Sequence, residues 1–178
     1  MTSSWRYLST IVLLAFLGTH FALAEEFIVR DDFRGRSNWS TESGKSSVTK
    51  SEDGHLLLSS IKDADGGPLP AVTALTVALE KNTDYAVKIR FRFEKNFQDA
   101  WPWSSLEVWS AESKWDDTPD KRLATLKITP KKDFDNGQWQ ALELPFNSEG
   151  NTSVIIRLRN NPKMMDQTHW DDFSVEKK

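Results

Sequence analysis

The clearest alternation of apolar and polar residues in this chain runs over 84–94. Tyr85, Val87, Ile89, Phe91 and Phe93 occupy one parity, and Ala86, Lys88, Arg90, Arg92 and Glu94 the other. A period of two predicts a half-buried strand, its apolar face on a core and its basic face toward solvent. The pattern recurs in shorter runs: 27–33, 72–79, 105–110, 122–129, 138–144, 152–159 and 170–176 all read as strands. Residues 46–50 and 55–61 read as a hairpin around Glu52-Asp53-Gly54. In 122–129 the residues Ala124, Leu126 and Ile128 share a face, and in 152–159 Val154, Ile156 and Leu158 oppose Ile155, Arg157 and Arg159. Asp65-Gly66-Gly67-Pro68-Leu69-Pro70 is the strongest break, and Pro145 is expected to end the strand before it. Helical periodicity is scarce, with one helical turn expected near 116–120. About nine short strands with turns between them predict an all-β fold, a two-sheet antiparallel β-sandwich.

The first residues read differently. Arg6 precedes an apolar run at 11–17, and Ala22-Leu23-Ala24 has the small-x-small form of a processing site. A leader over 1–24 is therefore expected, cleaved after Ala24 and delivering a secreted domain, 25–178, to an extracellular or periplasmic space. The alternative is an uncleaved anchor, but the run is short for a membrane span. About 150 residues make one domain. There is no Cys, so the fold is held by packing rather than disulfides, with a metal ion as a possible aid. A net charge of −3 and the lack of a long basic run argue against nucleic acid as partner, and no second run in 25–178 has membrane length.

Candidate chemistry concentrates in 97–115, which holds Trp101, Trp103, Trp109 and Trp115 beside Phe97. A Trp cluster on a polar background either packs into a core or meets a flat ligand. Sugar recognition needs aromatic faces for pyranose rings and polar groups for their hydroxyls. The four Trp residues supply the first, and Arg90, Arg92 and Glu107, with Gln98 and Asp99, supply the second. The competing reading places Trp103 and Trp109 in the sandwich, leaving Trp101 and Trp115 as surface candidates. Trp39, Trp139 and Trp170 are assigned to the core or its rim. Catalysis has a thinner case. His55 and His169 are the histidines beyond the leader, and no Ser-His-Asp order, metal-ligand His spacing or phosphate loop stands out. Carboxylate pairs for glycoside hydrolysis stay open, because their separation in space is not written in the sequence.

Several short motifs carry a resemblance. His169-Trp170-Asp171-Asp172-Phe173-Ser174-Val175 resembles the terminal strand of β-jelly-roll carbohydrate-binding modules of the family 4, 9 and 22 type. Gly137-Gln138-Trp139 before an alternating strand, Asp32-Phe33 followed by Trp39, and Asn82-Thr83-Asp84-Tyr85 are similar to other parts of those modules. The resemblance spans most of 25–178 and implies a jelly-roll sandwich with N- and C-terminal strands side by side. It implies no ligand specificity, since the 101–115 stretch aligns with no fixed counterpart in those modules. It also implies a structural calcium ion near the join of the first and last strands, with Glu26, Asp31, Asp32 and Asp171 as ligand candidates. Asp171 shares parity with Phe173 and is expected to point inward, which favours it over Asp172 as a ligand. The expected function is non-catalytic binding of a poly- or oligosaccharide through surface Trp residues. A small polysaccharide-active lyase or hydrolase, or a protein-interaction domain, is the alternative.

Overall fold

The computed structural model describes residues 26–34, 38–41, 47–50, 53–59, 61–62, 65–66, 68–94, 103–113, 119–129, 137–161 and 167–178. Residues 1–25, and with them the expected leader, lie outside the described residues. The alternating runs are strands. In chain order they are β1 (Phe27–Asp31), β2 (Ser40–Thr41), β3 (Ser47–Lys50), β4 (Leu56–Ser59), β5 (Ile61–Lys62) and β6 (Pro68–Leu69). They continue with β7 (Val72–Ala78), β8 (Asp84–Phe93), β9 (Ser104–Ser110), β10 (Arg122–Ile128), β11 (Gln140–Asn147), β12 (Ser153–Asn160) and β13 (Thr168–Lys177). Two short 3-10 turns, Ala111–Ser113 and Pro119–Lys121, are the helical segments among the described residues.

The strands form two main antiparallel sheets. One has six strands in the order β11-β8-β13-β4-β3, with β1 also paired to β13. The other has five, β10-β9-β12-β7-β2, and β5 with β6 makes a separate ribbon. From β7 to β13 the chain changes sheet at every step except the β9–β10 hairpin, the crossing pattern of a jelly roll. The two-sheet sandwich is as the alternation predicts, and the pairing of terminal strands is as the resemblance implies.

The core between the sheets follows from the alternation. Tyr85, Val87, Ile89, Phe91 and Phe93 of β8 are all buried, facing Leu106 and Val108 of β9 and Val154, Ile156 and Leu158 of β12. Trp170 is fully buried, its ring 4.5 Å from that of Phe91, while Trp39 packs at the rim against Phe33 and Phe173. One polar group is built into this core. Buried Asn160 accepts from Ser104 Oγ (2.7 Å) and Thr168 Oγ1 (2.9 Å) and donates to the Leu58 carbonyl (2.9 Å). It thereby ties β9 and β12 of one sheet to β4 and β13 of the other.

Two expectations are corrected here. Pro145 does not end its strand: β11 runs on to Asn147, because it is an edge strand where a missing N–H costs no ladder bond. Asp171 does not point inward with Phe173. β13 carries an irregularity between Asp171 and Ser174, and Asp172 has a positive φ of 50°, so the parity flips within the double Asp. Asp171 is paired with Arg90 on the side away from the core, and Phe173 is fully buried. The irregularity sits where β13 exchanges its neighbour β4 for β1.

Candidate functional site

The outer face of the five-stranded sheet takes its character from β9. With Leu106 and Val108 committed to the core, Ser105, Glu107 and Trp109 must face away from it. Register then sets their neighbours. Lys127 and Arg159 flank Ser105, Thr125 and Arg157 flank Glu107, and Arg122 and Ile155 flank Trp109. Glu107 accepts hydrogen bonds from Ser105 Oγ (2.7 Å) and Trp109 Nε1 (2.8 Å), so both of its oxygens are engaged. The Arg157 guanidinium lies 4.6 Å from the Trp109 ring centre and that of Arg122 5.6 Å. Arg157 also donates to Ser113 Oγ at 3.4 Å.

This assembly is covered, not open. Trp109 is 2% exposed, Glu107 4% and Arg157 2%. Neither Trp109 nor Glu107 offers a face or an oxygen to a ligand in this arrangement, so both brace the surface rather than form it. Trp103, just before β9, is half-buried, with Lys127 Nζ 5.2 Å and Arg159 Cζ 5.9 Å from its ring centre. Of the four Trp residues in 97–115, Trp101 and Trp115 lie outside the described residues, as do Gln98 and Asp99.

Arg90 and Arg92 do not join this group. They project from β8 on the outer face of the six-stranded sheet, across the sandwich from Trp103 and Glu107. β8 and β9 are consecutive in sequence but belong to different sheets, so nearness along the chain did not mean a shared face. Both guanidiniums lie over Trp139, at 5.1 and 4.9 Å from its ring centre. Trp139 is half-buried on this outer face, at the rim rather than in the core. Beside it, His55 Nε2 and His169 Nδ1 are 2.7 Å apart, and His169 Nε2 lies 2.5 Å from Glu94 Oε1. Burial pushes both imidazoles below the ordinary histidine range, helped by the Arg92 charge and opposed at His169 by its bond to Glu94.

The acidic residues expected to hold calcium separate into two places. Asp31 and Asp32 line a cleft of about 600 Å³ at the paired termini, together with Arg30, Asn38 and Asp172. Asp31 and Asp32 also accept from the N–H groups of Phe33 (2.7 Å) and Arg34 (3.0 Å), local turns that hold the end of β1. Asp171 accepts from the Asp172 N–H at 2.9 Å, and Glu26 meets β13 through its carbonyl, which accepts from the Lys177 N–H. Among the described residues no three His, Cys, Asp or Glu side chains gather as a metal-ligand group.

Sequence reasoning missed Arg122, Lys127, Arg157 and Arg159 as site residues. Their parity was visible in 122–129 and 152–159, but strand order and register, which bring them around β9, were not. The grouping of Trp139 with two Arg and two His residues was hidden for the same reason.

With this architecture the chain falls into the fold class of the jelly-roll carbohydrate-binding modules, which several solved structures share. One is the CBM22-1 xylan-binding domain of Xyn10C from Paenibacillus barcinonensis, 16% identical, covering 86% of this chain and 96% of that one with a TM-score of 0.55. A CBM4 structure is 13% identical over 86% of this chain and 95% of its own, with a TM-score of 0.53. The apo form of BiXyn10A CBM1 is 12% identical over 85% and 98%, with a TM-score of 0.56. At these identities the likeness is one of fold. No protein-family model matches the sequence, and no curated protein does either.

Proposed function

We propose that this chain is a non-catalytic carbohydrate-binding protein that takes its glycan on the outer face of the five-stranded sheet, around Trp103. The observation that carries the reading is the placement of Trp103, a half-buried indole between Lys127 and Arg159 on a floor stiffened by the Ser105–Glu107–Trp109 hydrogen bonds. An aromatic surface held by packed neighbours loses little freedom when a sugar ring settles on it, so the contact energy is kept. The fold likeness to carbohydrate-binding modules supports the same reading, and one of those neighbours is described as xylan-binding. Glu107, the acidic residue of this face, is committed as an acceptor to Ser105 and Trp109, which favours binding over proton transfer.

Export by a leader over 1–24 belongs to the proposal, and N-terminal sequencing of the exported protein tests it. So does a structural calcium ion at the terminal cleft, with Asp31 and Asp32 as its carboxylate ligands and backbone carbonyls and water completing the shell. The binding claim is tested by affinity electrophoresis against a panel of polysaccharides, with Trp103→Ala beside the wild type. At least one glycan should retard the wild type. The substitution should weaken that interaction by about 1–3 kcal/mol, the order for an apolar side chain of this size, at unchanged far-UV circular dichroism. Equal retardation of the folded variant would place the glycan elsewhere.

A further inference from the structure

The chain as a whole is mildly acidic, with a formal charge of −3. Among the described residues of β9, β10 and β12, the face around Trp103 and Trp109 has the opposite sign. Lys127 and Arg159 stand at the Trp103 ring, and Arg122 and Arg157 at the Trp109 ring. Against these four cations the same outward positions of β9, β10 and β12 supply one carboxylate among the described residues, Glu107. We propose that the glycan taken by this face is anionic, a polysaccharide carrying carboxylate or sulfate groups along its chain. The inference rests on the reading of Trp103 given above and names the ligand class for that site.

Three features carry it. First, the cations come from two strands, β10 and β12, that flank β9 on either side, so they line both sides of one lane rather than forming a single surface run. Second, exposed Arg122 stands beside Trp109, six positions and about 20 Å of extended strand from Trp103, so a polymer seated on Trp103 meets a further cation along the lane. Third, Lys127 and Arg122 are exposed and Arg159 is half-buried, so three of the four cations reach the surface of this face, while Arg157 lies covered beside Glu107. A neutral sugar can accept hydrogen bonds from these side chains but carries no charge of its own to set against theirs. A uronate or sulfated chain gains charge-assisted hydrogen bonds from the exposed heads of Lys127 and Arg122 and from half-buried Arg159.

The experiment measures affinity for four probes, each at about 20 mM and about 200 mM salt: polygalacturonate, dextran sulfate, a neutral xylooligosaccharide and an oligothymidylate. Binding to polygalacturonate or dextran sulfate that weakens about tenfold or more at the higher salt supports the inference, and the preferred probe identifies the anionic group. Lys127→Gln and Arg159→Gln should each weaken that binding about tenfold, with thermal unfolding unchanged for the exposed Lys127. Tight, salt-independent binding of the neutral probe, indifferent to Lys127→Gln, would overturn the anionic ligand and leave carbohydrate binding standing. Failure to bind any sugar would overturn both, and tighter binding of the oligothymidylate than of every sugar would overturn the choice of a glycan.

Discussion

Trp109→Ala separates a supporting residue from a binding one. Trp109 is 2% exposed, so the substitution empties a site the size of an indole. Burying a Trp removes about 150–250 Å² from water, roughly 4–6 kcal/mol at about 25 cal/mol per Å². Large-to-small substitutions in packed interiors cost a similar amount, about 3–5 kcal/mol. Glu107 also loses one of its two donors, and Arg157 the ring it lies against. A loss of about 4–6 kcal/mol is therefore expected, which brings a domain of ordinary stability, roughly 5–15 kcal/mol, close to unfolding. Trp109→Phe keeps most of the volume but removes the N–H, and should cost about 1–2 kcal/mol. Urea unfolding followed by far-UV circular dichroism is the suitable assay, because the substitution removes a fluorophore. If Trp109→Ala unfolds within about 1 kcal/mol of the wild type and binds its glycan much more weakly, Trp109 is a contact and the division of roles drawn here is wrong.

Other outcomes follow from the same geometry. Asn160→Ala strands Ser104, Thr168 and the Leu58 carbonyl between the sheets and should cost about 2–4 kcal/mol in urea unfolding, whereas a loss under about 0.5 kcal/mol would show that the clamp is not stressed. His55 and His169 have depressed values in the folded chain, so the unfolded chain takes up their protons first. Their contribution is intact above the ordinary histidine value of about 6.5 and is lost as pH falls through the lower folded values. The wild-type melting temperature should therefore drop on acidification below about pH 6.5, and His169→Gln should flatten that dependence. Chelator should lower the melting temperature if calcium occupies the terminal cleft, and Asp32→Ala should remove the response while Asp171→Ala leaves it.

The sandwich could be read from the chain because its central strands alternate without interruption. In β8 five large apolar residues on one parity leave a single solution for which face is buried. Asp171 shows the limit of that reasoning. One irregularity in β13 inverts the parity downstream, and nothing in Asp171-Asp172 announces it. The site was harder still. Trp103, Glu107 and Trp109 were picked out because they are local in sequence. Arg157 and Arg159 reach them only through β12 pairing with β9, a contact between residues some fifty positions apart in the chain. Arg90 is near Trp103 in sequence but not in space, because β8 precedes β9 directly while the jelly-roll crossing places them in opposite sheets.

The central claim is that sugar meets Trp103 on the five-stranded sheet and not Trp139 on the six-stranded one. Two-dimensional amide NMR of the 15N-labelled protein resolves indole N–H signals individually, and substitution to Phe assigns those of Trp103 and Trp139. On titration with the polysaccharide fragment bound most tightly in the panel, the Trp103 indole signal should move and saturate with the same dissociation constant as the bulk affinity, while that of Trp139 stays in place. Movement of the Trp139 signal with a static Trp103 would contradict the account and transfer the site to the face of Arg90, Arg92 and the paired histidines.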